Sequence, residues 1–276
     1  MRQIKFDSIR ELGAHVDKLQ AANAPRENRT STANRDPEWY GHCDMSEAIE
    51  FAHNGGNWEK GADLMPRIHV AHETLSGAPI MTPQVYSDMV GFAPCVPAFL
   101  SGAPDSMLAM EDAPEGDKLI RVAVHVGRSS GIEQKEIMNR GAAIIAVLDQ
   151  LSLEGYSVEL YAIWRNTDDS GSVVSVETCI KHGCDQWSPV SVAYALCHAA
   201  FQRRLCWRVA ESINEAEEAT GLDDANKVMN SGYGNGISVK FEDYNLSFGY
   251  VTDGSTFGSI ERAAKEIKRL TIEQLK

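Results

Sequence analysis

The turn after an apolar run rich in β-branched residues carries residues suited to holding an anion: Gly127, Arg128, Ser129 and Ser130. It follows the apolar run Leu119–Val126 and precedes a predicted helix. A helix N-terminus presents free N–H groups and the positive end of a dipole, and Arg128 adds a charge. We predict a phosphate- or nucleotide-binding turn here. The alternative is an ordinary capped turn, because the Lys-Ser/Thr pair of a P-loop is missing.

A second candidate site combines a histidine with two thiols, since Cys179, His182 and Cys184 lie within six residues. Zinc takes cysteine and histidine ligands in tetrahedral geometry, so this spacing suggests a small zinc-bearing module. The paired C-x-x-C spacing of strong zinc motifs is absent, however. Reduced, buried thiols are the alternative, because free cysteine is among the most buried residue types.

Three aromatic residues, Trp39, Tyr40 and Trp58, flank a predicted helix. Tryptophan and tyrosine dominate the energetics of protein interfaces, so these residues are candidates for an interaction surface. The alternative is that they dock the N-terminal part of the chain onto the rest of the fold.

The elements around the glycine-rich turn predict an α/β domain. Apolar strands at Leu119–Val126 and Tyr156–Trp164 flank a helix that Ser130 and Glu133 would cap and Gly155 would end. A strand, a helix and a strand with short joins form a right-handed βαβ unit. The further predicted elements are an edge strand at Ser172–Lys181, a helix from Ser188 to about Ala219, a short strand at Leu246–Val251 and a helix at Ser259–Leu275.

A helical and proline-rich part precedes this domain. The predicted helices are Asp7–Ala22, one from Asp44 to Gly55, and one at about Gly61–Thr74, followed by six prolines between Pro79 and Pro114. We therefore divide the chain into an N-terminal helix and linker (1–36), a helical and proline-rich region packing on the core (37–117) and an α/β domain (118–276). The predicted fold class is α/β, with a small, mainly parallel sheet flanked by helices.

The order β-α-β-β-α-β-α, with a serine-containing turn after the first strand, resembles a von Willebrand factor A-type domain over about half the chain. In that family the strand ends in Asp-x-Ser-x-Ser, whose oxygens bind a divalent cation. Ser129 matches the last serine, but His125 and Gly127 occupy the positions of the aspartate and the middle serine. The resemblance therefore implies a copy that has lost its metal site.

Three other segments resemble an uncharacterised family encoded by tailed bacteriophages. They are Trp39–Gly41 leading to Ser46–Ala48, Gly91–Met107, and Asn139–Ala143. The resemblance implies a phage source and assigns no catalytic residue.

Charge and composition restrict the partners. The chain has 276 residues with 26 basic and 39 acidic side chains, a net charge of −13 that disfavours nucleic acid. We expect Arg203, Arg204 and Arg208 to form a solvated helix face. Nothing in the sequence predicts a membrane span or a signal peptide, and six scattered cysteines favour a reducing compartment.

The primary prediction is a non-catalytic protein that binds another protein, from host or phage, through a von Willebrand A-like domain. The alternatives are a phosphate- or nucleotide-binding enzyme or sensor using the Gly127–Gly131 turn, and the zinc-bearing module. We expect no cofactor and no intact catalytic motif. The expected location is the cytoplasm, that of the host cell for a phage protein, with the virion as a further option; the oligomeric state is left open.

Overall fold

A five-stranded mixed sheet forms the centre of the fold. The computed structural model describes residues 2–22, 31, 37–76, 80, 85–89, 93–94, 96–110, 119–129, 131–167, 173–183, 185–186, 188–219 and 243–276. In chain order its strands are β1 (Arg2–Phe6), β2 (Val85–Asp88), β3 (Ala93–Pro94), β4 (Met107–Met110), β5 (Leu119–His125), β6 (Ser157–Thr167), β7 (Val173–Lys181) and β8 (Leu246–Phe248). The central sheet has the order β1-β7-β6-β5-β8, and β6 and β7 form its antiparallel pair.

The α-helices of the described residues lie around that sheet. They are α1 (Ile9–Ala22), α2 (Met45–His53), α3 (Met65–Leu75), α4 (Val96–Leu100), α5 (Gln134–Leu153), α6 (Pro189–Cys197), α7 (Trp207–Ala219) and α8 (Ile260–Leu275). Helix α5 is buried along most of its length and packs against α3, α6 and α8. None of the described helices has the length and apolar character needed to cross a membrane.

The predicted α/β class is confirmed, and β5, α5, β6 and β7 follow one another as the sequence indicates. The N-terminal strand β1 was not predicted. It pairs in parallel with β7, from Arg2 beside Val174 to Phe6 beside Thr178, and so extends the edge of the sheet. The segment predicted as a separate helix and linker therefore contributes a strand to the central sheet. The predicted boundaries at residues 36 and 117 lie outside the described residues.

One buried apolar cluster joins the N-terminal helices to the sheet. It includes Leu12 of α1, Ala52 of α2, Ile68 of α3, Leu148 of α5 and Val176 of β7. Burying such side chains removes apolar surface from water, which is the main favourable term in folding. The proline-rich region contains a small antiparallel sheet of order β2-β4-β3.

The helix predicted from Ser188 to about Ala219 is interrupted. Helix α6 ends at Cys197, His198 has an extended backbone (φ −83°, ψ 128°), and a π-helix runs over Phe201–Cys206 before α7 begins. The π-helix is a rare form that occurs frequently at functional sites. This interruption positions much of the site described next.

Candidate functional site

Two backbone N–H groups of the predicted anion-binding turn donate to other groups of the protein, whereas the prediction left them free for a ligand. The Gly127 N–H donates to His125 Nδ1 at 2.9 Å, and the Ser129 N–H donates to the Val251 carbonyl at 3.0 Å. These two N–H groups are therefore occupied within the protein. Of the turn, Arg128 is the described residue whose side chain lines a cavity, and Ser130 lies outside the described residues.

Helix α5 begins later than the predicted capping box requires. Its N-cap is Glu133, whose backbone N–H donates to the Glu136 carboxylate at 2.9 Å, and the helix starts at Gln134. A carboxylate already lies at the positive end of the helix dipole. The expected contribution of a helix N-terminus at Ser130 is therefore wrong, and the attraction for an anion depends on side chains.

A cavity of about 600 Å³ opens beside this turn, between the β5 end of the sheet, the 3₁₀ helix Pro37–Tyr40 and the π-helix. Its lining falls into three groups. The floor holds buried cationic and donor groups, the walls are aromatic or apolar, and the rim is charged and exposed. The floor residues are Arg128, His198 and Arg203; the wall residues are Trp39, Trp58, Ile132 and Met138; the rim residues are Glu38, Lys60 and Asp63.

Arg128 contributes a buried guanidinium to the floor. The residue is 9% exposed, and its Nη1 donates to Gln134 Oε1 at 3.1 Å. Gln134 is held in turn by its Nε2, which donates to the Cys197 carbonyl at 2.9 Å. Burial lowers the pKa of Arg128 because desolvation disfavours the charged form.

Arg203 projects from the π-helix into the same cavity and is 6% exposed. Its guanidinium carbon lies 3.6 Å from the centre of the Trp39 ring, and its Nη1 donates to the Trp39 carbonyl. Its Nε is buried and has no hydrogen-bond acceptor among the described residues. Burial, followed by the charge of Arg128, lowers the pKa of Arg203 to about 9, which leaves it cationic at neutral pH.

His198 supplies a third hydrogen-bond donor to the floor of the cavity. The Ala200 N–H donates to His198 Nδ1 at 3.1 Å, so the proton of the neutral imidazole is assigned to Nε2. Burial, followed by the charges of Arg128 and Lys60, lowers the pKa of His198 to about 4. The Trp58 ring meets the imidazole edge-on, with ring centres 4.7 Å apart.

Gly41 closes the other side of the imidazole. A Cβ atom at this position would lie 3.1 Å from His198 Cε1, and the backbone has a φ of +68°. Glycine adopts that conformation without the strain that a side chain would bring. The position therefore combines a close approach with a left-handed backbone.

The floor of the cavity is cationic and rich in donors. Neither Arg128 nor Arg203 forms an ion pair with a carboxylate among the residues that the structure describes. A buried charge without a partner is costly, and an anion with several acceptor oxygens would offset that cost. The arrangement is suited to binding an anionic group rather than a metal ion.

The predicted interaction surface has limited access to the outside. Tyr40 is fully buried, with the Arg204 guanidinium carbon 3.4 Å from its ring centre. Trp39 and Trp58 are half-buried and line the cavity. Tyr40 is packed inside the fold, as the docking alternative expects. The two tryptophans form part of the candidate site.

The predicted solvated face of arginines is wrong. Arg203, Arg204 and Arg208 are all buried, and Arg208 donates to Gln20 Oε1 at 3.0 Å. Aromatic rings cover two of the guanidinium groups. These contacts come from tertiary packing, so helical periodicity in the sequence cannot reveal them. The available signal was the apolar run before them, since α6 is apolar around its whole circumference and such helices are buried.

The candidate zinc residues lie on a different side of the fold, at the end of β7. Cys179 Sγ is 3.6 Å from His182 Nδ1, and His182 Nε2 donates to the Asp7 carbonyl at 3.1 Å. Burial, followed by the nearby Glu159, raises the pKa of the Cys179 thiol to about 11, so it is not an activated nucleophile. No set of three metal-binding side chains comes together among the described residues, and Cys184 lies outside them. The zinc site stays a prediction.

The chain belongs to the family described as Domain of unknown function (DUF7192), which it matches over residues 2–271. No curated protein and no solved structure matches it.

Proposed function

We propose that this member of the family binds a small anionic ligand in the cavity between the turn after β5 and the π-helix. The observation that carries the proposal is the pair of buried guanidinium groups, Arg128 and Arg203, which line the cavity and form no ion pair with a carboxylate among the described residues. His198 adds a neutral donor at the same floor.

Two charges in a low-dielectric environment repel each other and are poorly solvated, so the free protein carries an unfavourable arrangement there. A bound anion would attract both guanidinium groups and so offset their mutual repulsion. The net charge of −13 opposes the approach of anions at long range, and selectivity therefore depends on the local donors of the floor. Cavities of this size, with apolar walls and a few convergent polar groups, are typical of small-molecule sites.

The test is thermal unfolding of the full chain at constant ionic strength with phosphate, sulfate, citrate or acetate, and with chloride as the reference. A ligand at a hundred times its Kd should raise the Tm by roughly 5 to 10 °C. The Arg203→Lys variant, which keeps the charge but loses the planar fork, should weaken the effect. Arg269→Gln, which removes an exposed guanidinium on α8, is the matched control. The proposal fails if no anion raises the Tm above the chloride reference.

The predicted role in protein binding is a second candidate, and one surface favours it. Helix α4 exposes apolar side chains, with Val96 at 58%, Phe99 at 66% and Leu100 at 79% exposure. Exposed apolar patches mark interaction sites in many proteins. A double variant, Phe99→Ser with Leu100→Ser, should keep the wild-type Tm and lose a partner that the wild-type chain retains in a pull-down. Equal retention by both chains would count against this surface.

We also propose that the fold is related to von Willebrand A-type domains and that the protein comes from a phage. The order β5-α5-β6-β7-α6-α7-β8-α8 supports the first, because it follows the predicted alternation of strands and helices. The phage source rests on the sequence segments alone.

A further inference from the structure

We propose that the anion is the phosphate of a nucleoside monophosphate, with the phosphate on Arg128, His198 and Arg203 and the base against Trp58. This inference rests on the proposed function of the cavity. It names the class of ligand that the floor, the walls and the rim accept together.

The floor favours a phosphate monoester over a carboxylate. Each guanidinium has five N–H donors, and the described contacts use one Nη of Arg128 on Gln134 and one Nη of Arg203 on the Trp39 carbonyl. The remaining donors, with the His198 Nε2–H, outnumber what the two oxygens of a carboxylate accept. A phosphate monoester offers three terminal oxygens and a charge of about −1.5 to −2, close to the charge of two arginines.

The walls favour a planar ring beyond the phosphate. The lining of the cavity of about 600 Å³ also includes Trp58, Ile132 and Met138. Trp58 is half-buried and keeps contact with the cavity while its edge-on partner His198 fixes its position. Every nucleobase has a π-face that stacks on an aromatic side chain. Inorganic phosphate alone would leave this apolar part of the cavity unused.

The rim favours one phosphate and a polar middle part. Lys60 and Asp63 are exposed there and offer a donor and an acceptor to sugar hydroxyls or to the edge of a base. Further phosphates would extend toward the carboxylates of Glu38 and Asp63, which repel negative charge. A monophosphate fits this distribution of charge better than a triphosphate.

Isothermal titration of the full chain with inorganic phosphate, ribose 5-phosphate, adenosine, ATP and the four nucleoside monophosphates tests the inference. We expect at least one monophosphate to bind ten-fold more tightly than ribose 5-phosphate and more tightly than ATP or adenosine. Trp58→Leu should reduce the affinity for that monophosphate to the level of ribose 5-phosphate. Trp58→Phe should restore most of it.

Two results would overturn the inference. If phosphate and ribose 5-phosphate bind but no nucleoside monophosphate binds more tightly, the ligand class is wrong and the proposed anion site stands. If Trp58→Leu leaves the affinity for the monophosphate unchanged, the base does not lie on this wall. Failure of every anion, including sulfate, citrate and acetate, would remove the proposed function together with this inference.

Discussion

Two groups of buried arginines lie near the carboxyl end of β5, and they differ in what their N–H groups meet. Arg140 of α5 is almost completely buried and donates to backbone carbonyls of both neighbouring strand ends: to His125 at 3.1 Å, to Phe248 at 3.2 Å and to Gly249 at 2.8 Å. Arg128 and Arg203 are comparably buried but face a cavity.

This is the difference that we expect between a cation with a structural role and the ligand-binding cations that we propose. Burial lowers the pKa of Arg140 to about 10, and three carbonyl dipoles compensate the charge that remains. Arg128 and Arg203 line the cavity instead, and the described hydrogen bonds of each guanidinium go to one side-chain or backbone oxygen, Gln134 Oε1 for Arg128 and the Trp39 carbonyl for Arg203. A buried cation whose donors are satisfied by the fold is stable without a ligand, whereas one beside a cavity gains from an anion that supplies further acceptors.

Replacing Arg140 should give the largest effect. Arg140→Met leaves three carbonyl oxygens without donors at the ends of β5 and β8, and we expect a loss of about 3 kcal/mol or more in the free energy of unfolding. Urea denaturation measures it. Arg269→Met, at an exposed site, is the control and should cost far less, because exposed ion pairs contribute little to stability. Equal losses in the two variants would contradict the structural role of Arg140.

Acidification should destabilise the fold through one histidine beside each arginine group. Burial lowers the pKa of His125 and of His198 to about 4, below the ordinary value of 6.5. The unfolded chain therefore binds more protons between pH 6.5 and 4, so stability falls as the pH falls through that window. Each histidine should contribute about 1.4 kcal/mol per pH unit, and the loss is complete below pH 4.

Urea denaturation of His198→Gln between pH 7 and 5 isolates the cavity histidine. The variant should lose about half of the slope that His125 and His198 together produce. An unchanged slope in His198→Gln would show that this imidazole is not buried in its neutral form.

Gly41→Ala should have a moderate effect that reaches the cavity through His198. The added methyl group meets the imidazole in a backbone conformation that disfavours side chains, and we expect a loss of about 1 kcal/mol in stability. Affinity for phosphate should fall as well, because the imidazole must move. Gly131→Ala, where no atom lies within 4 Å of the added Cβ, should change neither quantity by more than about 0.5 kcal/mol. Equal losses of stability in Gly41→Ala and Gly131→Ala would contradict the contact between Gly41 and His198.

Arg128→Met should have the smallest effect on stability and should abolish the binding of phosphate. The substitution removes one of two repelling cations while keeping a long apolar side chain, so the free protein should unfold within about 1 kcal/mol of wild type, or be more stable. Stabilisation by phosphate should disappear, as thermal unfolding with and without phosphate will show. A loss of stability like that of Arg140→Met would place Arg128 in the structural group.

Sequence patterns were sufficient for the elements with strong internal signals. The β-branched run of β5, the glycine after α5 and the Ser259 N-cap of α8 fix their elements locally. Strand β1 was missed because its five residues carry no such signal; its backbone hydrogen bonds come from β7, more than 160 residues away in sequence. Long-range pairing of this kind overrides local propensity.

Three residues of the cavity lining stood out in the sequence: Arg128 as a candidate for anion binding, and Trp39 and Trp58 as candidates for an interaction surface. His198 and Arg203 were missed because apolar residues recur at helical spacing from Val192 to Val209, which predicts one continuous helix. A break at a single residue leaves that periodicity almost unchanged. The burial of Arg203 depends on a ring that is far away in sequence, so no local pattern could indicate it.

The π-helix at Phe201–Cys206 has a consequence for how easily the cavity could be lost or gained. Its N–H groups bond to the carbonyl five residues back instead of four, so each hydrogen-bonded ring encloses one residue more than in an α-helix. We expect that deleting one residue from this segment would favour an ordinary α-helix and turn the guanidinium of Arg203 away from Trp39. One inserted residue would then separate a chain with the proposed anion site from a chain that keeps only the scaffold.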